Sequence, residues 1–283
     1  MNTSNDLYCV MGNPIAHSRS PWIHARFAAL TGEPLHYERE LVALDGFADA
    51  VRAFAARGGR GCNVTVPFKL DAAQLATEHS ERVRLAGAAN TLTLHADGRI
   101  SADNTDGLGI VADITRNAHV PIAGRDVLLI GAGGAAAGVL GPLLRERPRR
   151  VVIANRTLAK ADHLAQAHAA IAAETGTALH SSALQPIDAD FDIVINGTAS
   201  SLAGAGSPVA SSVLRKGALA YDMMYGAAAQ EFMDWATAHH ATARDGLGML
   251  VEQAAASFEI WRGVRPPAAQ VLAELRSELA AGR

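Results

Sequence analysis

The stretch Val127-Leu128-Leu129-Ile130-Gly131-Ala132-Gly133-Gly134-Ala135-Ala136-Ala137-Gly138-Val139-Leu140 decides the fold. Val127 to Ile130 is an apolar run without a charge, which suits a strand buried on both faces of a parallel sheet. The run breaks at the glycines and continues as Ala-rich sequence of helical propensity to residue 144. Strand, glycine turn and helix together spell Gly-x-Gly-x-x-Ala, with Gly131, Gly133 and Ala136 in the fingerprint positions. The first glycine permits a tight turn, and the second lets the backbone approach a pyrophosphate. The small third residue lets the helix pack on the strand, with the phosphates at the helix N-terminus. A plain βα turn in an Ala-rich chain would use the same residues, so the motif alone does not settle the matter.

The second strand of the unit, Val151 to Ala154, ends at Asn155-Arg156-Thr157, with Lys160 in the helix start that follows. An NAD-binding unit carries an acidic residue near this strand end, where it takes the ribose 2′-hydroxyl. Asn155 and Arg156 stand there instead. A guanidinium forks onto phosphate oxygens and the Lys160 ammonium adds a second positive charge, so the pattern fits a 2′-phosphate and favours NADP over NAD. The plain alternative is a basic, solvated helix start.

At 283 residues and 49% hydrophobic content the chain has room for one large domain or two ordinary ones, fully folded. A formal charge of -3 gives no electrostatic reason to expect nucleic acid. Cys9 and Cys62 lack metal-type spacing and read as buried thiols of a reducing compartment; no metal site is expected. The polar start, residues 1–6, lacks a signal pattern. Val127 to Leu144 is long enough for a membrane span, yet its five glycines and a proline fit the nucleotide turn better. These features predict a cytoplasmic protein without membrane or nucleic-acid partners.

Elsewhere the sequence offers several polar clusters. Ser18 and Ser20 flank one residue in an extended segment, so both hydroxyls can face one small carboxylate; alternatively Ser20 caps the helix that Pro21 opens. His17 and His24 read as packing or surface histidines. The β-prone run 62–66 is stopped by Pro67, which presents Lys69 at a strand end, where α/β folds place chemistry. From spacing alone an ordinary surface lysine serves as well. A single helix is predicted over 70–85, then a hairpin around Ala96-Asp97-Gly98. Asp103-Asn104-Thr105-Asp106-Gly107 follows, with Asp106 either the cap of a helix over 108–117 or a site residue. Further on come a helix over 159–173, an irregular stretch, and a strand at 191–196. A mobile Gly/Ser/Ala-rich loop at 198–208 and a strand over 219–225 are next. The remaining elements are a helix at 230–240, a flexible turn at 245–249, and helices over 250–263 and 268–280.

Taken together, Gly12-Asn13-Pro14-Ile15-Ala16-His17-Ser18-Arg19-Ser20-Pro21, Asn63-Val64-Thr65-Val66-Pro67-Phe68-Lys69, Gly87-Ala88-Ala89-Asn90-Thr91 and Asn104-Thr105-Asp106-Gly107 resemble the shikimate dehydrogenase family. The resemblance continues through the glycine turn, Asn155-Arg156-Thr157, Tyr221-Asp222-Met223 and the run from Gly248 to Ala255, and so spans essentially the whole chain. It implies a two-domain α/β protein: residues 1–106 and 247–283 form an α/β substrate domain to which the C-terminal helices return. Residues 107–246 form an inserted Rossmann-type NADP-binding domain. It further implies reversible NADP-linked reduction of 3-dehydroshikimate to shikimate, a step toward chorismate and the aromatic amino acids, by a monomer or homodimer.

Position by position, the resemblance makes Lys69 and Asp106 the catalytic pair. Ser18 and Ser20 would hold the substrate carboxylate, while Thr65, Asn90, Asp106 and Gln253 would bind ring hydroxyls, with Tyr225 nearby. Gly131, Ala132, Gly133, Gly134 and Ala135 would take the pyrophosphate, and Asn155, Arg156, Thr157 and Lys160 the adenosine phosphate. Met223, Gly246 and Met249 would lie near the nicotinamide. Lys160 departs from a second Arg common in the family, and Asn196-Gly197-Thr198-Ala199 from an Asn-Ala-Thr start. Alternatives are a quinate/shikimate dehydrogenase of broader range and a non-catalytic NADPH-binding sensor.

Overall fold

A computed structural model describes residues 5–198 and 207–282. The chain divides into two compact units, Met1–Gly109 with Val251–Arg283, and Ile110–Leu250.

The first unit begins with β1 (Asp6–Gly12), α1 (Ser20–Thr31), β2 (Leu35–Leu41), α2 (Phe47–Ala56) and β3 (Gly59–Val64). Then come α3 (Lys69–Leu75), β4 (Glu78–His79), α4 (Glu81–Ala86), the hairpin β5 (Thr91–Leu94) and β6 (Ile100–Asp103), and α5 (Asp106–Ala112). Its sheet runs β2-β1-β3-β5-β6-β4, with β1 parallel to β2 and β3, and β5 antiparallel to β3 and β6. Cys9, Met11, Phe54, Cys62, Phe68 and Leu92 fill the core on one face. Each large side chain buried there contributes about 1.5–3 kcal/mol.

The single helix expected over 70–85 is absent. The chain leaves helix after Leu75, with Ala76 extended, and Thr77 donates its N–H and its hydroxyl to the Ile100 carbonyl. Glu78–His79 then adds a short parallel edge strand beside β6, and Ser80 caps α4 by accepting from the Val83 N–H. Pairing at the sheet edge outweighs local helical propensity. The helix expected over 108–117 also changes character, since α5 gives way to a π-helical turn at Asp113–Asn117.

The second unit contains β7 (Asp126–Ile130), α6 (Gly134–Arg145), β8 (Arg150–Asn155), α7 (Leu158–Ala167), α8 (Ala169–Thr175) and β9 (Ala178–Ala183). It continues with β10 (Phe191–Asn196), β11 (Leu214–Asp222), α9 (Gln230–Ala238) and β12 (Thr242–Arg244). The chain passes back to the first unit along α10 (Leu247–Arg262) and ends with α11 (Ala268–Ala280). Every neighbouring pair in the sheet β12-β11-β10-β7-β8-β9 is parallel. All five residues of β7 are buried, as the uncharged run requires. Strand order reverses between β7 and β10, the switch point at which open α/β sheets take ligands.

Several expectations need correction here. The helix over 159–173 is two, broken at His168, whose φ of -107° leaves the helical region while its buried ring bonds the Leu164 carbonyl at 3.0 Å. The irregular stretch before residue 191 contains β9, which pairs with β8. The strand expected to reach residue 225 ends at Asp222. The mobile loop predicted at 198–208 falls mostly on residues 199–206, outside the described residues.

The turn at 245–249 is not flexible, because its last three residues begin α10. Gly248 is packed so closely on Asp113 that a Cβ would overlap the carboxylate. Asp113, fully buried, accepts two bonds from Arg244 at 2.8 and 2.5 Å and one from the Tyr221 hydroxyl at 2.8 Å. Removing Arg244 would leave the buried Asp113 charge without its counter-ion, a loss of about 3–5 kcal/mol. Among the described residues no helix is long and apolar enough to cross a membrane.

Candidate active site

Lys69 is the first residue of α3 and Asp106 the first of α5, so both stand where a loop from the sheet turns into helix. Lys69 Nζ donates to Asp106 Oδ2 at 2.6 Å. The side chains are 24% and 8% exposed, so Lys69 is partly open to solvent and the carboxylate is shielded. Asn104 pins the approach to α5, accepting from the Asp106 N–H at 3.2 Å and donating to the Ala88 carbonyl at 2.9 Å. Asp106 is therefore not simply a helix cap: its two oxygens answer Lys69 and Asn90.

Asn90 is the centre of this arrangement. Its Nδ2 donates to Asp106 Oδ1 at 2.9 Å, with Thr105 Oγ1 at 3.0 Å and Gln253 Oε1 at 3.3 Å also within reach. Its Oδ1 accepts from the Thr105 N–H and from the Thr91 hydroxyl, both at 2.9 Å. Asn63, Thr91, Thr105 and Ser257 are buried beside it, and none is among the site residues expected from sequence. A signal exists: Ser257 lies four residues after Gln253, on the same helix face. Behind this network His24 is fully buried and stacked on Tyr37 with ring centroids 4.2 Å apart. Among the described residues neither ring nitrogen has a hydrogen-bond partner, and burial pushes its pKa down to about 3.

Ser20 opens α1 and is buried, but Arg19 holds the cap position and no side-chain cap bond forms. The Ser20 N–H instead donates to Ser18 Oγ at 3.3 Å, tying the two serines together. Arg39 donates through Nε and Nη2 to the Ser18 carbonyl at 3.0 and 2.6 Å, which brings a guanidinium to this loop. Thr65 follows β3 and is half-buried beside Gly12. Among the described residues no hydrogen bond runs from Ser18, Ser20 or Thr65 to Lys69 or Asp106.

The remaining candidates belong to the second unit. Gly131, with φ of 108°, ends β7 in a conformation that a side chain would strain, and the Gly197 carbonyl would lie 3.1 Å from a Cβ built there. Gly133 and Gly134 are exposed at the head of α6, and a Cβ on either would meet nothing within 4 Å. Ala132 and Ala135 are half-buried on either side. Open backbone at a helix N-terminus is what an approaching pyrophosphate requires.

Asn155 Nδ2 donates to the Thr157 carbonyl at 2.9 Å, which shapes the turn after β8. Arg156, Thr157 and Lys160 are exposed, and neither cation has an ion-pair partner among the described residues. This bare helix end and these two exposed cations fit a dinucleotide carrying an extra phosphate. Met223 adjoins Gly197 through its sulfur and Gly246 through its carbonyl. The Gly246 N–H donates to the Met224 carbonyl at 2.8 Å, and Met249 is buried in the first turn of α10. Tyr225 lies half-buried just past β11. Among the described residues no group of His, Cys, Asp or Glu is arranged to hold a metal ion.

Known proteins resemble this chain along its whole length. Residues 10–92 match the family profile described as shikimate dehydrogenase substrate binding domain, and residues 113–217 that of shikimate / quinate 5-dehydrogenase. Residues 246–276 match the shikimate 5'-dehydrogenase C-terminal domain. The chain is 70% identical over 282 residues to a protein of Acidovorax sp. (strain JS42) named shikimate dehydrogenase (NADP(+)), covering 100% of both chains. Among solved structures it is similar to an Ael1 enzyme from Pseudomonas putida, with TM-score 0.88, 43% identity and coverage of 96% and 98% of the two chains. It is also similar to a shikimate 5-dehydrogenase from Thermus thermophilus in complex with NADP(H) and shikimate, with TM-score 0.81, 26% identity and coverage of 96% and 99%. On these grounds the chain belongs to the shikimate dehydrogenase family.

Proposed function

We propose that this protein catalyses the reversible NADP-linked reduction of 3-dehydroshikimate to shikimate, on the route to chorismate and the aromatic amino acids. The observation that carries the reading is the Lys69–Asp106 pair, held at 2.6 Å with the lysine side chain partly exposed and the carboxylate shielded. Residues 1–106 and 247–283 serve as the substrate domain and 107–246 as the NADP domain.

Bound NADPH supplies the hydride. The chain's own residues orient the ketone and manage one proton. As negative charge grows on the carbonyl oxygen, the Lys69 ammonium stabilises it and donates a proton, which it takes back in the oxidative direction. Asp106 holds the Lys69 Nζ in place and accepts from a ring hydroxyl. Asn90, Thr65 and Gln253 bind the remaining hydroxyls, and the hydroxyls of Ser18 and Ser20 donate to the substrate carboxylate, with Tyr225 beside the substrate. Gly131 to Ala135 present the turn and the helix end to the pyrophosphate. Arg156 and Lys160, with Asn155 and Thr157, take the 2′-phosphate, and Met223, Gly246 and Met249 border the nicotinamide. The protein works in the cytoplasm as a monomer or homodimer; sedimentation equilibrium distinguishes the two.

The test is NADP reduction by shikimate followed by absorbance, with quinate and NAD as parallel arms. Fast turnover with shikimate and NADP alone is the expected result. Comparable rates with quinate or NAD would move the protein to a broader quinate/shikimate activity. NADPH binding without turnover of any substrate would overturn the reading in favour of a sensor.

A further inference from the structure

The buried polar groups behind the Lys69–Asp106 pair form a continuous hydrogen-bonded chain. The Tyr37 hydroxyl donates to Asn63 Oδ1 at 2.8 Å. That bond turns the Asn63 amide so that Nδ2 faces Ser257 Oγ at 2.9 Å, with Thr91 Oγ1 and the Asn90 carbonyl both at 3.2 Å. Ser257 Oγ lies 2.8 Å from Thr91 Oγ1 and 3.1 Å from the Gln253 carbonyl, and its single proton serves one of the two at a time. When Ser257 gives its proton to Thr91, the Thr91 lone pairs are answered by Ser257 and Asn63, and the Thr91 hydroxyl donates its own proton to Asn90 Oδ1 at 2.9 Å.

An asparagine amide can sit either way round, and the difference matters here. The Thr105 backbone N–H, at 2.9 Å, can only donate, so it demands the oxygen of Asn90. The Thr91 hydroxyl donates to the same oxygen at 2.9 Å, closer than the Thr105 hydroxyl at 3.1 Å. The amide is thereby held with Nδ2 on Asp106 Oδ1, which leaves Asp106 Oδ2 for Lys69. Asn63, Thr91 and Ser257 are all buried, where an unanswered polar group is expensive and a satisfied network rigidifies its members.

We infer that Thr91, Asn63 and Ser257 are positioning residues for the reaction: they lock the Asn90 amide, and through it the Asp106 carboxylate that aims Lys69. The inference rests on the proposed dehydrogenase activity for its kinetic test, but not for its structural one. Thr91→Val removes the hydroxyl at nearly constant shape, whereas Thr91→Ser keeps the hydroxyl and loses the methyl. At saturating shikimate and well below the melting temperature, Thr91→Val is expected to lower kcat roughly tenfold, the scale of a small misplacement at a reacting group. KM for NADP should not move, and Thr91→Ser should keep most of kcat. Ser257→Ala, one step further back, should fall about threefold and serves as the second variant if Thr91→Val does not fold.

A packing role predicts the opposite ranking, with Ser worse than Val. Either that ranking or a Thr91→Val enzyme with wild-type kcat would overturn the inference. The structural readout is hydrogen exchange of the Asn90 side-chain amide by NMR. It should quicken by roughly an order of magnitude in Thr91→Val and stay slow in Thr91→Ser. Should the wild type fail to oxidise shikimate, the functional reading falls, and the Asn90 amide alone decides the positioning: unchanged exchange in Thr91→Val would end it.

Discussion

Lys69 and Arg156 are both cations at the C-terminal end of a strand, and the protein treats them in opposite ways. Lys69 is tied at 2.6 Å to a shielded carboxylate that is itself held by Asn90, and Asn90 is held by Thr91 and Thr105. Arg156 is exposed on the turn after β8 and has no ion-pair partner among the described residues. The contrast follows from the two tasks. Proton transfer depends on a donor held within a few tenths of an ångström and a few degrees of its target, so its neighbours are fixed before substrate arrives. Recognition of a phosphate depends on charge and a fork of donors that a mobile side chain can bring to the ligand.

That division predicts that substitutions at the two ends fail differently. Lys69→Ala should lower kcat about 10²–10⁴-fold while KM for shikimate changes little, measured as NADP reduction under saturation. A variant that keeps wild-type kcat would break the comparison at its stronger end. Arg156→Ala should leave kcat near wild type and raise KM for NADP roughly 10–100-fold, with the preference for NADP over NAD collapsing by the same factor. A fall in kcat without a change in KM for NADP would show that the arginine belongs to the chemistry after all.

The two units can also be compared through their buried histidines. His24 in the first unit has no hydrogen-bond partner for either ring nitrogen among the described residues, and burial holds its pKa down at about 3. His168 in the second unit keeps one bond, to the Leu164 carbonyl, and its pKa is lowered too, mainly by burial. Both stay neutral in the native state where the unfolded chain would take up a proton, so stability is complete above about pH 6.5 and is lost as pH falls. For His24 the loss should run at about 1.4 kcal/mol per pH unit down to about pH 3, so about 2 kcal/mol by pH 5. Urea unfolding at pH 7 and pH 5, compared between wild type and His24→Phe, reads it as a difference free of the carboxylates. An identical pH dependence in the two proteins would show that His24 takes up its proton without unfolding.

The smallest expected effect sharpens the nucleotide end. Lys160→Arg should lower KM for NADP a few-fold, because a fork replaces a point charge beside the 2′-phosphate. No change there, together with a large effect at Arg156, would assign phosphate recognition to Arg156 alone.

Much of this is legible from the chain because it depends on local chemistry. Val127 to Ile130 predicts a buried parallel strand whatever surrounds it, and Gly131 sits at φ of 108° because the turn needs a residue without a Cβ. Asn155-Arg156-Thr157 announces a basic strand end, and Ala268–Ala280 is helical as its periodicity predicts. Residues 70–85 mislead because their propensity is helical throughout, while the force that breaks them, pairing with β6, comes from a hairpin further along the chain. Residues 245–249 mislead because two glycines resemble a flexible turn. Gly248 is small for a different reason, contact with the buried Asp113 carboxylate from another part of the chain.

The site divides along the same line. Sequence by itself determined which residue types stand at strand ends and helix starts: Lys69, Asp106, the glycine turn and the Arg156 cation. Only the tertiary structure decided that Asn63, Thr91, Thr105 and Ser257, scattered over 194 positions, converge on one asparagine. Hydrogen bonds over such separations leave no periodicity in the chain, since they are set by the register of strands and by the helix face turned toward them.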